Sequence, residues 1–184
     1  MSTKEIKFSG FGGQGVILAG IIIGRAASIY DNKFATLTQS FGPEARGSAC
    51  SAQLIVSDES VLYPYVTKPE ILLAMSQEAC NKFLPETSDN AMLIIEEELV
   101  SPKNVRPGTK VFSIPATRIA EELGRKMILN IVMVGFFTSV TKLVDYEAVR
   151  DAVRASVPPG TEVLNLKAFD RGYKYGEELQ AQNV

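Results

Sequence analysis

Six consecutive residues near the start of the chain constrain its fold more than any other segment: Gly10-Phe11-Gly12-Gly13-Gln14-Gly15. The alternating segment 6–9 before them predicts a short β-strand, and the apolar segment 16–30 after them predicts a helix. Three of the glycines follow the spacing G-x-G-x-x-G, which is typical of the turn from the first strand to the first helix of an α/β domain. The sequence therefore predicts an α/β fold that begins with a strand, a glycine turn and a helix.

The rest of the chain continues this alternation. Further strands are predicted at 34–39, 49–56, 70–75, 91–96 and 111–114, and further helices at 76–83, from Pro115 onward, at 128–143, 146–156 and 161–180. This order favours a three-layer α/β sandwich with a mostly parallel, Rossmann-like sheet covered on both faces. Because residues 41–48 join two strands without a helix, one antiparallel pair and hence a mixed sheet are expected. No repeat or linker divides the chain, so residues 1–184 are interpreted as a single domain.

Composition excludes several kinds of chemistry. The chain contains no histidine and two cysteines, so it cannot supply a histidine base, a histidine-ligated zinc or the four thiolates of an ordinary iron–sulfur cluster. A net charge of −2 argues against a nucleic-acid partner. The apolar segments 16–29 and 128–143 are interrupted by polar residues and glycine, so no membrane span is expected. The N-terminus lacks an apolar signal segment, and a cytoplasmic location is the expectation.

The glycine turn is the first candidate site. Absent side chains allow backbone N–H groups to approach an anion, and the helix N-terminus adds positive potential. A dinucleotide site also requires an acidic residue at the end of the second strand, but Asp31 comes before that strand and the strand ends without an acid. Three interpretations stay open: a phosphate-bearing ligand, a contact with another subunit, and a purely geometric role for glycine. Gln14 either donates a hydrogen bond to a ligand or caps the start of the helix. The candidate binding residues here are Gly10, Gly12, Gly13, Gln14 and Gly15.

The second candidate site follows the second strand, at residues 41–48. Since the carboxyl ends of parallel strands meet at one edge of a sheet, this loop is expected beside the glycine turn. Arg46 is suited to pair with a phosphate or carboxylate through its planar guanidinium group. The alternative is a surface ion pair between Glu44 and Arg46 that contributes little to stability. The candidate binding residues of this loop are Gly42, Pro43, Glu44, Arg46 and Gly47.

Other polar and reactive residues favour structural roles. Cys50 and Cys80 are interpreted as small buried residues, and a catalytic thiol is the less favoured alternative. Glu96-Glu97-Glu98 is interpreted as the solvated exit of a strand, in preference to a metal site. Asn130 is expected to be a buried, hydrogen-bonded amide or a residue at a helix start. No catalytic residue and no metal ligand is assigned to this chain.

The two loops together resemble a known family. Residues 10–16 and 39–47, with Tyr63-Pro64, Asn130 and Gly135, residues 165–169 and Gly172, resemble the gamma subunit of 2-oxoacid:ferredoxin (acceptor) oxidoreductases over nearly the whole chain. The sequence Gly-Pro-Glu-Ala-Arg-Gly at 42–47 looks more like the 2-oxoglutarate members than the pyruvate members. Ser48 departs from the second glycine expected after Arg46-Gly47, and this makes the loop stiffer.

The resemblance implies a role inside a larger enzyme. Such enzymes convert a 2-oxoacid and coenzyme A (CoA) to an acyl-CoA and CO2, and ferredoxin or another acceptor takes the electrons. Thiamine diphosphate and iron–sulfur clusters would then lie on partner subunits of the alpha, beta and delta types, and this chain alone would bind no cofactor. Its expected part is to bind CoA or to close the active site. The alternatives are a non-catalytic structural interaction subunit and a stand-alone Rossmann-type nucleotide-binding protein.

Overall fold

A computed structural model describes residues 3–40 and 49–182 of the chain. Its six strands are β1 (Lys4–Phe11), β2 (Phe34–Ser40), β3 (Ala49–Ser57), β4 (Ile71–Ala74), β5 (Met92–Glu96) and β6 (Lys110–Ile114). Its α-helices are α1 (Val16–Arg25), α2 (Gln77–Phe83), α3 (Ala116–Glu122), α4 (Leu129–Thr141), α5 (Tyr146–Ser156) and α6 (Glu162–Gln182). The predicted alternation of strands and helices is confirmed.

The strands form one mixed sheet in the order β2-β3-β1-β4-β5-β6. Parallel pairing joins β1, β4, β5 and β6, whereas β3 runs antiparallel to both of its neighbours. This arrangement confirms the expected antiparallel pair, which β2 and β3 form, and the expected mixed sheet. The carboxyl ends of β1, β4 and β5 lie at one edge of the sheet, which we call the glycine edge because β1 enters the glycine turn there.

Helices cover both faces of the sheet, as expected, but the two layers are unequal. On one face, Ile6 and Phe8 of β1 join a large core with α1 and the α3–α6 helices. On the other face, Leu72 and Leu93 pack with Phe83 of α2 in a much smaller core. Successive side chains of a strand point to opposite faces of the sheet, so alternate residues of the central strands pack in the two different cores.

The two long helices α4 and α6 pack closely and run in the same direction. Gly135 lies against the backbone of Phe169, and Gly172 lies against the backbone of Val132, so that a Cβ at either glycine would overlap a carbonyl group. Both helices begin at the glycine edge, where the Asn130 side chain of α4 contacts Gly15. Both end at the opposite edge of the sheet, where Gln180 donates to the Val140 carbonyl.

The observed elements differ from the predicted ones at three places in the helices. The 16–30 helix is α-helical to Arg25 and π-helical over Ala26–Tyr30. Pro115 occupies the N-cap of α3 and not the first helical position, with φ −78° and ψ 63°. The 128–143 helix is shorter at both ends, because a 3-10 turn precedes it and Lys142 is left-handed with φ 49°. Within residues 3–40 and 49–182, no helix is both long and apolar enough to cross a bilayer.

Candidate functional site

The glycine turn connects the end of β1 to the start of α1 without any side-chain cap. Gly13 and Gly15 take positive φ angles of 95° and 74°, a region that favours glycine. Gly15 is the N-cap of α1 and has no side chain that could accept a hydrogen bond from the first N–H groups of the helix. The first turn of α1 also contains no acidic residue. The N–H groups and positive potential of this helix end are therefore not neutralised from within the helix.

Gln14 binds the turn to the neighbouring strand. Its Oε1 accepts a hydrogen bond from the Phe11 N–H at 2.7 Å, and its Nε2 donates to the Met75 carbonyl, just after β4, at 2.9 Å. Both ends of the amide are occupied by backbone. The expected helix cap is wrong, because α1 has no side-chain cap, and Gln14 fixes the shape of the turn instead. Its contact with a ligand stays a prediction.

Two of the turn glycines are required by packing. A Cβ at Gly10 would lie 2.6 Å from Gln14 Oε1 and 2.9 Å from Val16 Cγ2. A Cβ at Gly15 would overlap the amide of Asn130, whose Nδ2 donates to the Gly15 carbonyl at 3.3 Å. Asn130 is 4% exposed and is the second residue of α4, so both expectations for it are confirmed. The geometric interpretation of the motif accounts for Gly10 and Gly15.

Gly12 and Gly13 differ from the other turn glycines because they face open space. A Cβ at either position would meet no heavy atom within 4 Å, and both residues are exposed. Packing therefore does not explain glycine at position 12, and at position 13 only the backbone conformation does. These two residues are the part of the motif that is accessible to a ligand or a partner chain.

A pocket of about 280 Å³ opens beside this exposed backbone. Most of its lining is apolar, and the polar contributions come from Arg125, Thr161 and the amides of Asn130 and Asn165. The full lining is Gly13, Gly15, Leu18, Arg125, Met127, Ile128, Asn130, Ile131, Val157, Pro158, Thr161, Leu164 and Asn165. Its volume is just under the range of about 300–1,000 Å³ for ligand pockets, so it suits one arm of a larger ligand.

The sequence motif gave no indication of this pocket. Asn165 donates through Nδ2 to the carbonyl and hydroxyl of Thr161 at 2.9 and 3.0 Å, which holds the start of α6 against the pocket. Met127, 85% exposed, lies at its rim. The pocket brings together residues from the turn, α4 and α6, whose separation in sequence hides their proximity.

The second predicted loop, with Gly42, Pro43, Glu44, Arg46 and Gly47, lies outside the described residues. The residues on either side of it are described. Ser40 pairs with Ser51 and Ala49 pairs with Phe11, so the ends of β2 and β3 that flank the loop lie at the glycine edge. Contacts made by Arg46 stay a prediction.

The remaining polar candidates have structural roles. Glu96 is fully buried and its carboxylate accepts hydrogen bonds from the Leu99 and Thr117 N–H groups at 2.7 and 3.0 Å. The interpretation of Glu96 as part of a solvated strand exit is therefore wrong, because its side chain is buried and holds the backbone of a turn and the start of α3. Glu97 and Glu98 are exposed, as expected. No group of three or more potential metal ligands occurs in the described part of the chain.

The two thiols are buried, as the sequence indicates. Cys50 is 7% exposed beside Gly10 in the sheet, and Cys80, a residue of α2, is fully buried. Burial raises the pKa of both thiols above the ordinary value, which disfavours the reactive thiolate. Neither cysteine is suited to nucleophilic chemistry.

The expected lack of a ribose-binding acid agrees with the geometry. Asp31 forms an ion pair with Lys33 and accepts a hydrogen bond from the Asp145 N–H at 3.4 Å. This places Asp31 before the start of β2, at the edge of the sheet opposite the glycine turn. Asp31 cannot serve a dinucleotide bound at the turn.

Comparisons with known proteins agree with this architecture. The family model described as pyruvate ferredoxin/flavodoxin oxidoreductase matches residues 5–175. The 2-oxoglutarate synthase subunit KorC of Methanocaldococcus jannaschii is 47% identical over 96% of this chain and 95% of its own length. The keto/oxoacid ferredoxin oxidoreductase gamma subunit of Geobacter sulfurreducens is 37% identical, with a TM-score of 0.83 over 95% of this chain and 99% of that chain.

A further solved structure shows the same fold inside a longer chain. The 2-oxoglutarate:ferredoxin oxidoreductase of Magnetococcus marinus, with 2-oxoglutarate, coenzyme A and succinyl-CoA bound, superposes on 97% of this chain with a TM-score of 0.87 and 18% identity. The match covers 32% of that longer chain. On the strength of the family match and the KorC and gamma-subunit relatives, the chain belongs to the pyruvate ferredoxin/flavodoxin oxidoreductase family, as a gamma-type subunit of a 2-oxoacid oxidoreductase.

Proposed function

We propose that this chain is the gamma subunit of a 2-oxoglutarate:ferredoxin (or other acceptor) oxidoreductase, and that its glycine edge binds part of coenzyme A at an active site built by other subunits. The complete reaction converts 2-oxoglutarate and CoA to succinyl-CoA and CO2, passes two electrons to the acceptor and releases one proton to solvent. The assignment to 2-oxoglutarate is supported by the 45–47% identity to KorC subunits.

The observation that carries the CoA role is the open backbone of Gly12 and Gly13 beside an uncapped helix start. A phosphate group is well matched by unobstructed N–H groups at a helix N-terminus. CoA also contains an amide-bearing pantetheine arm, and the adjoining pocket is apolar with two asparagine amides. Arg125 at the pocket adds a positive charge that forms no ion pair among residues 3–40 and 49–182.

The bond-making chemistry is assigned to partner chains. Thiamine diphosphate would supply the electron sink for decarboxylation, and iron–sulfur clusters would carry the electrons. The described residues of this chain do not fit such groups, since the two cysteines are buried, apart from each other and in different cores. Partners of the alpha, beta and delta types would hold those cofactors. The chain's own part is to position CoA and to exclude water.

The test uses the assembled enzyme and the turn itself. Gly12→Asp adds a negative charge where there is room for a side chain, and it should raise the KM for CoA by about tenfold or more, because like charges repel. Gly12→Ala adds a Cβ without charge and should leave the KM within about twofold. The readout is reduction of ferredoxin or a viologen dye that depends on 2-oxoglutarate and CoA.

Arg46→Ala provides a second arm and should also raise the KM for CoA, because its guanidinium group is suited to a phosphate. An unchanged KM for CoA in both Gly12→Asp and Arg46→Ala would reject the CoA role. Loss of copurifying subunits in Gly12→Asp, with normal CoA kinetics in Arg46→Ala, would instead favour the structural interaction role for this edge.

A further inference from the structure

The edge of the sheet opposite the glycine turn exposes an apolar surface. Six of the eleven large apolar side chains that are exposed in residues 3–40 and 49–182 lie at this edge. They come from the π-helical turn after α1, the first residue of β2 and the loop between β3 and β4. We call this set the aromatic edge: Ile29, Tyr30, Phe34, Leu62, Tyr63 and Tyr65.

The topology explains why these residues share one edge. Phe34 is the first residue of β2 and pairs with Ser57, the last residue of β3. The loop with Leu62 begins directly after Ser57 and returns to the first residue of β4, Ile71. Because α1 starts at the glycine edge and runs back along the sheet, Tyr30 reaches the same edge as Phe34.

The loop of the aromatic edge is held in place although its apolar side chains have no cover. Glu5 accepts hydrogen bonds from the backbone N–H groups of Thr67 and Lys68, both at 2.8 Å. Tyr63 and Tyr65 pack edge to face, with ring centroids 5.5 Å apart, and each side chain is more than half exposed. Leu62 is 94% exposed. A fixed loop that keeps large apolar groups in water is typical of a protein interface, because little ordering is lost on binding.

Both described ends of the chain lie at this same edge. Thr3 hydrogen-bonds Ser57 at the end of β3. At the other terminus, α6 is about 31 Å long, starts beside the glycine edge, runs parallel to α4 and brings Gln180 to the last turn of α4. A cleft at this end of the sheet is lined by Thr141 and Leu143, at and just after the end of α4. The first residues of β1 and β4, Lys4 and Ile71, line the same cleft. Any extension of this fold, from either terminus, therefore starts at the same end of the sheet as the aromatic edge.

The Magnetococcus enzyme indicates what such an extension contains. This fold makes up 32% of that chain, so about two thirds of that chain is further sequence, and sequence appended to either end of the fold would leave it at this end of the sheet. We propose that the aromatic edge docks the separate subunit that corresponds to that further sequence. The proposal rests on the proposed function, since it requires this chain to work inside a multi-chain oxidoreductase.

A second copy of this chain is the competing occupant. The position of the termini favours the other subunit, because a copy of the same chain has no reason to be linked to this edge in longer relatives. Tyrosine side chains are frequent anchors of protein interfaces, and a pair of them beside an exposed leucine suits an apolar pocket of another protein.

The experiment places a photo-crosslinker in the purified, active complex. p-Benzoylphenylalanine replaces Tyr63, one aromatic group for another, and in a control it replaces Lys174 on α6, whose side chain is 73% exposed. We expect position 63 to crosslink to another subunit of the complex, identified by mass spectrometry, at a yield at least fivefold above position 174. A crosslink to a second copy of this chain, or none in the active complex, would overturn the proposal.

A binding measurement gives an independent readout. Leu62→Ser with Tyr63→Ser should weaken the affinity of this chain for the remaining subunits at least tenfold, measured by biolayer interferometry, without changing the melting temperature of the isolated chain. Unchanged affinity would overturn the docking proposal while normal CoA kinetics leave the proposed function standing. Purification of the chain without any oxidoreductase subunit would overturn both.

Discussion

The two edges of the sheet are built differently, although one set of strands forms both. At the glycine edge, Gly12 and Gly13 expose main chain without side chains, and this backbone borders a small pocket. At the aromatic edge, the backbone is held inward by Glu5 and large side chains stand in water. Exposed backbone suits a small anionic ligand, whereas exposed aromatic groups suit another protein. One fold thus presents two separate surfaces of different chemistry, and α4 and α6 run from one to the other.

The largest effect on stability is expected where α4 packs against α6, the two helices that run between the two edges. Gly135→Ala should lower the free energy of unfolding by about 2–3 kcal/mol, because its Cβ would overlap the backbone of Phe169 and push α6 away from α4. Urea denaturation followed by circular dichroism measures it. Gly12→Ala is the matched control, where the added Cβ meets no atom. Equal stability of the two variants would contradict the tight packing of α4 and α6.

An intermediate effect should stay at the glycine edge. Gln14→Ala removes hydrogen bonds to Phe11 and Met75 and should lower the free energy of unfolding by about 2 kcal/mol. Since Gln14 fixes the turn, the same variant should raise the KM for CoA in the assembled enzyme while crosslinking from position 63 is unchanged. A stability loss with normal CoA kinetics would show that the shape of the turn does not serve the ligand.

The smallest effect concerns Tyr146 on the helical layer. Burial, followed by its hydrogen bond to Asp170 at 2.7 Å, raises the pKa of Tyr146 to about 12. Because the folded chain holds this proton more tightly than the unfolded chain, the contribution is complete below pH 10 and is lost as the pH rises from about 10 to 12. Tyr146→Phe should cost about 1 kcal/mol at neutral pH.

Denaturation of wild type and Tyr146→Phe between pH 8 and 12 measures this dependence. The difference between the two proteins should shrink as the pH approaches 12, while CoA kinetics and crosslinking at both edges stay normal at neutral pH. A constant difference over that interval would show that the tyrosine proton is not bound more tightly in the folded chain.

Short-range patterns in the sequence were sufficient to predict most of the fold. The glycine turn, the positions of the strands and the antiparallel pair follow from local periodicity and from the short interval between the second and third strands, although β1 is longer at both ends than predicted. The resemblance to gamma subunits was also sufficient to predict the family. The role of Gln14 could not be predicted, because its partner Met75 is 61 residues away in the chain.

For a similar reason, neither the pocket nor the aromatic edge could be predicted from the sequence. The pocket combines Gly13 with Asn130 and Asn165, which come together only through the packing of α4 and α6. Glu96 looked solvated because it stands in an acidic run, but two backbone N–H groups from later segments surround it. Long-range contacts of this kind leave no local pattern in a single sequence.

The open backbone at Gly12 and Gly13 has a practical consequence for genetics. A surface made of main chain contains no side chain that a truncation could remove, so alanine scanning, the usual search for functional residues, will score Gly12 as neutral. Only substitutions that add bulk or charge will reveal it. A mutagenesis library of this chain should therefore include large and acidic replacements at its exposed glycines, where function is lost when a side chain is added and not when one is removed.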